Sequence, residues 1–138
     1  VGRNSRITYP FRRIEKLADV PPQDRRVEGL LTYVYHLFPN AVVTVLSRHT
    51  NLVVLEPIDL NRTRVFNYSL TNPGAGAEAA ALAKRDAAFV SETGAAEDLK
   101  VVTAIQRSID SGANEVFTFG HFEALIAHFH RTLKAALD

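Results

Sequence analysis

The stretch Gly29-Leu30-Leu31-Thr32-Tyr33-Val34-Tyr35-His36-Leu37-Phe38, followed by Pro39-Asn40 and then Ala41-Val42-Val43-Thr44-Val45-Leu46, decides the fold. Side chains alternate across an extended chain. Leu31, Tyr33, Tyr35 and Leu37 therefore share one face, and Thr32, Val34, His36 and Phe38 share the other. Both faces are mostly apolar or amphipathic, which predicts a strand covered on both sides. Pro39-Asn40 is a turn signal, and the β-branched run 41–46 reads as a second strand. Working outward, Ser47 to Asn51 turns again, Leu52 to Leu55 is a third strand and Pro57 to Arg62 is a loop. Thr63 to Leu70 is a fourth strand, with Phe66, Tyr68 and Leu70 on one side. Connections this short join neighbouring strands into an antiparallel meander. Upstream, Arg6 to Phe11 is a short extended segment, and Arg12 to Val20 is one or two helical turns ended by Pro21-Pro22.

Past the sheet the period changes. Thr71-Asn72-Pro73-Gly74 closes the meander, and the alanine-rich run from Gly76 to about Ile109 reads as helix. Glycine is poor inside helices, so a break is expected near Thr93-Gly94. Ser111-Gly112-Ala113-Asn114 ends this helical region, and Glu115 to Gly120 is a short extended piece. His121 to Leu137 is a final helix with Phe122, Leu125, Ile126, Phe129 and Leu133 on its apolar stripe. The expected architecture is α+β: a curled antiparallel sheet packed against C-terminal helices.

Bulk properties narrow the functional classes. The chain has 138 residues, 46% of them hydrophobic and 22% charged, as in an ordinary globular domain. A net charge of +1 gives no field directed at nucleic acid or an anionic membrane. Arg3, Arg6, Arg12, Arg13, Arg25 and Arg26 form a local basic excess that reads as a solvated face. Cysteine is absent, which excludes disulfides, thiol nucleophiles and thiolate-held clusters within these residues and fits a reducing cytoplasm. No apolar run approaches a membrane span. The chain opens Val1-Gly2-Arg3-Asn4 and contains no methionine, so a fragment of a longer protein is expected.

One carboxylate is out of place. Asp98, Val101, Val102, Ile105 and Ile109 share a helical face, so an acid heads an apolar stripe. Buried, it would need a basic partner, a helix N-terminus or a metal. It could equally sit with Glu97 in the first turn after the Gly94 break, where it would favour the helix dipole. The five histidines (His36, His49, His121, His128 and His130) show no i, i+4 pair that would put two imidazoles on one helical face. His36 reads as a core histidine and His49 as solvated in a turn. One of His128 and His130 is expected to point inward. Phosphate-cradling glycine loops and nucleophile elbows are absent.

Three stretches together resemble the Rieske non-haem iron oxygenases that hydroxylate aromatic rings. They are His36-Leu37-Phe38-Pro39-Asn40 with the strands to Glu56-Pro57-Ile58-Asp59 and Thr63-Arg64-Val65-Phe66; Phe89-Val90, Glu97-Asp98-Leu99 and Gln106; and Ser111-Gly112 through Phe119-Gly120-His121-Phe122-Glu123 to Phe129-His130-Arg131 and Leu133. The resemblance covers about Tyr33 to Leu137 and implies a helix-grip fold, a curved sheet gripping a long helix, here as the C-terminal part of a catalytic domain truncated at its N-terminus. It implies a mononuclear Fe(II) site of two histidines and one carboxylate, with Asp98 as the carboxylate, and a pocket including Tyr33, Tyr35, Phe89 and Val102. It further implies O2 and an aromatic or apolar substrate. Electrons would come from NAD(P)H through a reductase or ferredoxin and a Rieske [2Fe-2S] cluster. Family members are often trimers, so a homotrimer is open to this chain.

This sequence departs from the family pattern in lacking the upstream histidine pair and the cluster-binding cysteines. By itself it is expected to be inactive and to expose apolar surface. The competing reading is a stand-alone carrier of hydrophobic small ligands on the same scaffold, which would need no acid at position 98. A purely structural oxygenase subunit is a third reading, against which the Glu97-Asp98 to Gln106 pattern stands.

Overall fold

The computed structural model describes residues 2–27, 29–74, 76–113 and 116–138 and, of Ala95, the backbone. Among the described residues the strands are β1 (Ser5–Pro10), β2 (Leu31–Leu37), β3 (Ala41–Val45), β4 (Thr50–Asp59) and β5 (Arg62–Leu70). The α-helices are α1 (Gly76–Asp110) and α2 (Ala124–Leu137), and two short 3-10 turns, Arg12–Leu17 and Pro22–Asp24, lie between β1 and β2. The strands form one antiparallel sheet in sequence order, β1-β2-β3-β4-β5. The meander thus holds five strands where four were expected. The Arg6 to Phe11 segment supplies the fifth, pairing Ile7 with Val34 and Tyr9 with Thr32.

Pairing partners share a face, so the registers sort the side chains into two sets. Ile7, Val34, Thr44, Asn51 and Ser69 form one cross-strand row, flanked by His36, Val42, Val53 and Asn67. This is the face the helices use. Asn67 and Ser69 lie across a cleft from Ala80, Ala83 and Ala87 of α1, and His36 meets Phe129 of α2 edge-to-face at 5.1 Å. Leu31, Tyr33, Tyr35, Val43, Val45, Leu52, Phe66 and Tyr68 point to the opposite face. There Arg6 sits over the Tyr33 ring and Arg64 over Phe66. The more apolar face is therefore the one the helices leave uncovered.

Strand β4 runs to Asp59, through residues that read as loop. Strand β3 pairs no further than Val54 of β4, so Pro57 has a strand neighbour on one side only. An edge position of that kind tolerates a residue without an N–H, and the register shifts between Pro57 and Asp59. Asp59 then holds the turn into β5, accepting the Asn61 N–H at 2.9 Å and Arg62 Nε at 2.7 Å.

Helix α1 is continuous over 35 residues, without the break expected at Thr93-Gly94. A single glycine costs about 1 kcal/mol relative to alanine, and the alanines and long side chains on either side of it outweigh that. Helix α2 begins at Ala124 rather than His121, because Glu123 organises the turn before it: its carboxylate accepts from the Gly120 N–H, and its own N–H donates to the Gly120 carbonyl at 3.0 Å. Phe122 therefore falls outside the helix and is 95% exposed, while Leu125, Phe129 and Leu133 are half-buried. Of the expected extended piece at 115–120, position 115 lies outside the described residues, as does position 114 before it, and 116–120 form no strand. Phe117 and Phe119 instead stack on His130 at 6.0 and 5.4 Å.

The core is thin. Among the described residues Ala83 is the buried apolar side chain, with Thr32 and His49 the buried polar ones. The accessible surface is 11023 Å², against about 7,100 Å² for a compact monomer of 15.3 kDa. Much of the excess lies on the outer sheet face and on the second half of α1, in line with the apolar exposure expected from sequence.

Candidate functional site

At about 1.5 Å per residue α1 is roughly 52 Å long, and it meets the sheet through its first half. Ala80, Ala83, Ala87 and Ser91 line the β5 side. At spacings of three and four the same stripe continues through Gly94, Asp98, Val101, Val102, Ile105 and Ile109. Asp98 therefore looks the same way as the sheet-facing alanines, but at a level where no described element covers it. The unbroken helix removes the N-terminal alternative for Asp98, because position 98 lies in the helix interior. Its carboxylate is exposed and makes no hydrogen bond or ion pair among the described residues. One turn back lies Gly94, where an added Cβ would meet Asp98 Oδ2 at 3.8 Å, an ordinary contact. Gly94→Ala is accordingly expected to stabilise the chain by about 0.5–1 kcal/mol, read as a higher midpoint of thermal unfolding.

An uncommitted carboxylate beside apolar residues fits the anionic arm of a histidine–carboxylate iron site. The histidines of this chain do not complete such a site. His36 packs on Phe129, His121 on Phe122 and His130 on Phe117 and Phe119. The His128 carbonyl accepts from Thr132 within α2. Among the described residues no group of three or more metal-ligating side chains comes together.

Nor do the four pocket candidates surround one cavity. Tyr33 and Tyr35, ring centroids 6.0 Å apart, lie on the sheet face away from the helices. Val102 is one turn from Asp98 and 60% exposed. Phe89 lies two to three turns before Asp98 and lines a different space, an open cleft of about 470 Å³ between α1 and the β3–β4 turn. Leu46, Ser47, Arg48, His49, Arg85, Asp86 and Val90 complete its lining.

His49, expected to be solvated in a turn, is only 6% exposed. The Leu46 N–H donates to its carbonyl at 3.0 Å, which carries the ladder geometry one residue past β4. His49 therefore shares a face with Asn51 and Val53 and turns toward α1. Counting the period-two alternation of β4 backward from Val53 would have revealed this. Neither ring nitrogen has a partner among the described residues, and Thr32 Oγ1 and Asn51 Oδ1 are likewise buried without one. A buried polar group left unbonded costs about 1–3 kcal/mol.

Arg48 donates to Asp86 Oδ2 at 2.6 Å, tying the β3–β4 turn to α1. That hydrogen bond, with the charges of Arg48, Arg85 and His49, holds the Asp86 carboxyl below its ordinary value. A carboxyl depressed on folding stabilises the fold above its unfolded pKa, and the contribution is lost as pH falls through the folded value. Carbon-13 titration of the Asp86 carboxyl is expected to give a midpoint below that of an unpaired aspartate. Arg48→Gln should move the midpoint up.

These features define an α+β domain in which a meander grips one end of a long helix and an apolar stripe carries a free carboxylate beyond it. A family model, ring hydroxylating alpha subunit (catalytic domain), matches residues 4–138, and the chain belongs to that family. It is thus an oxidoreductase domain of the aromatic-ring-hydroxylating oxygenases, with the helix-grip type of α+β fold that the sequence led us to expect. No curated protein and no solved structure matches the chain. Among the described residues no helix is long and apolar enough to cross a membrane.

Proposed function

We propose that this chain is the C-terminal portion of the catalytic domain of a Rieske-type terminal oxygenase and supplies one arm, Asp98, of its mononuclear Fe(II) site. The observation that carries this is the placement of an uncommitted carboxylate on the sheet-facing stripe of α1, in a chain matched to the family over residues 4–138. The two histidine arms come from outside this chain. Iron held there supplies O2 activation beside the substrate. Asp98 contributes a negative charge and a hard oxygen donor. Val101, Val102 and Ile105, exposed in this chain, exclude water and favour an aromatic or similarly apolar substrate once further elements cover the stripe. Electrons come from NAD(P)H through a reductase or ferredoxin and a Rieske [2Fe-2S] cluster, in a cytoplasmic enzyme open to trimeric assembly.

The test compares the assembled oxygenase with the isolated chain, each supplied with NADH, reductase and an aromatic hydrocarbon panel. The assembled enzyme is expected to consume O2 and release hydroxylated product, and the isolated chain to do neither. Stoichiometric iron binding with turnover by the isolated chain would overturn the proposal.

A further inference from the structure

The cleft between α1 and the β3–β4 turn lies apart from Asp98. Phe89 precedes Asp98 by nine residues, about 13–14 Å along the helix. Its charged lining is two arginines, Arg48 and Arg85, against one acid, Asp86, and the acid already engages Arg48. Arg85 is exposed and has no acidic partner in hydrogen-bond or ion-pair contact among the described residues. The cleft therefore keeps one uncompensated positive charge. His49, more than nine-tenths buried, lies in the lining with neither ring nitrogen bonded. Beside these groups stand apolar walls from Leu46 and Val90 and the open face of Phe89, 69% exposed.

We propose that this cleft binds a small aromatic acid, its carboxylate between Arg85 and Arg48 and its ring against Phe89. A carboxylate pairs with guanidinium in a charge-assisted geometry, and the unbonded imidazole offers a further N–H donor. An aromatic ring on Phe89 gains the offset or edge contact that a small inorganic anion cannot. A volume of about 470 Å³ is in the usual range for a small-molecule site. The site needs no iron, so it stands or falls independently of the role of Asp98.

The experiment is a titration of the nitrogen-15-labelled chain with benzoate, followed by backbone amide and arginine side-chain resonances. The comparators are benzyl alcohol, which keeps the ring without the charge, and acetate and inorganic phosphate, which keep the charge without the ring. Benzoate is expected to give saturable shifts confined to positions 46–49 and 85–90, with each comparator at least about tenfold weaker. Arg85→Gln, at an exposed position that should not disturb folding, is expected to weaken benzoate by about tenfold. Asp86→Asn is expected to strengthen it by freeing Arg48. Phe89→Ala should weaken benzoate and leave phosphate unchanged. Benzyl alcohol matching benzoate would reduce the cleft to an apolar groove, and phosphate or acetate matching it would reduce the cleft to a general anion site. Either result overturns the proposal, as would dispersed, non-saturating shifts or an Arg85→Gln chain that binds benzoate unchanged.

Discussion

Asp98→Ala in the assembled oxygenase is expected to strip the mononuclear iron and to lower ring hydroxylation by at least about a hundredfold, the upper end of what losing an outer partner of a ligand costs. Three arms hold the metal in the proposed site, and alanine leaves two neutral imidazoles with no anionic oxygen. The decisive measurement is iron content per chain, because activity alone would also fall if α1 were distorted. Distortion is not expected, since the Asp98 side chain is exposed and bonds to nothing among the described residues. Asp98→Glu keeps the charge and donor type and is expected to recover part of the iron. Asp98→Asn keeps the shape, loses the charge and should recover less. Glu97→Gln, a neighbour rotated about 100° off the stripe, should leave iron unchanged. Full iron occupancy in Asp98→Ala would remove Asp98 from the site.

How far this site was legible beforehand depended on which physical signal each part rests on. Period-two alternation is local, and it located β2, β3 and β5 to within a residue or two. It could not say which face of β2 the helices would cover, because Tyr33 and Tyr35 on one side and Val34 and His36 on the other are both compatible with burial. The deciding factor is steric and non-local. An alanine-lined helix suits a sheet surface of small side chains, and Asn67, Ser69 and Thr71 of β5 and the segment after it line the cleft that faces it. The aromatic residues of β2 and β5 consequently point the other way, which puts Tyr33 and Tyr35 on the sheet face away from α1. Gly94 misled for a related reason. Its intrinsic penalty is real but small, and a long alanine-rich helix absorbs it. Asp98 was legible as an acid on an apolar stripe, but the direction of that stripe came only with the unbroken helix.

Ala83→Leu is expected to destabilise the isolated chain by about 1–3 kcal/mol, the usual cost of enlarging a buried side chain. Ala83 is 1% exposed and lies on the wall of the α1–β5 cleft, with Asn67, Ser69 and Thr71 among the other lining residues. Three extra carbons there must displace the groups that cover Ala83, and a chain with so thin a core has few other contacts to absorb the shift. Urea unfolding checks this as a lower midpoint at unchanged slope. Val102→Lys, about three helical turns beyond the edge of that contact and 60% exposed, should shift stability in the same chain by less than about 0.5 kcal/mol. The contrast tests the division of α1 into a seated half and a free half: equal costs would mean that the distal stripe is packed, and a neutral Ala83→Leu would mean that the helix does not rest on β5. In the assembled oxygenase the second substitution should behave differently. If other elements cover the stripe to enclose the iron, Val102→Lys buries a charge there and becomes strongly destabilising, whereas Ala83→Leu costs much the same in both. The change in the Val102→Lys penalty between chain and assembly therefore reports directly whether the apolar surface around Asp98 is the wall of an enclosed pocket.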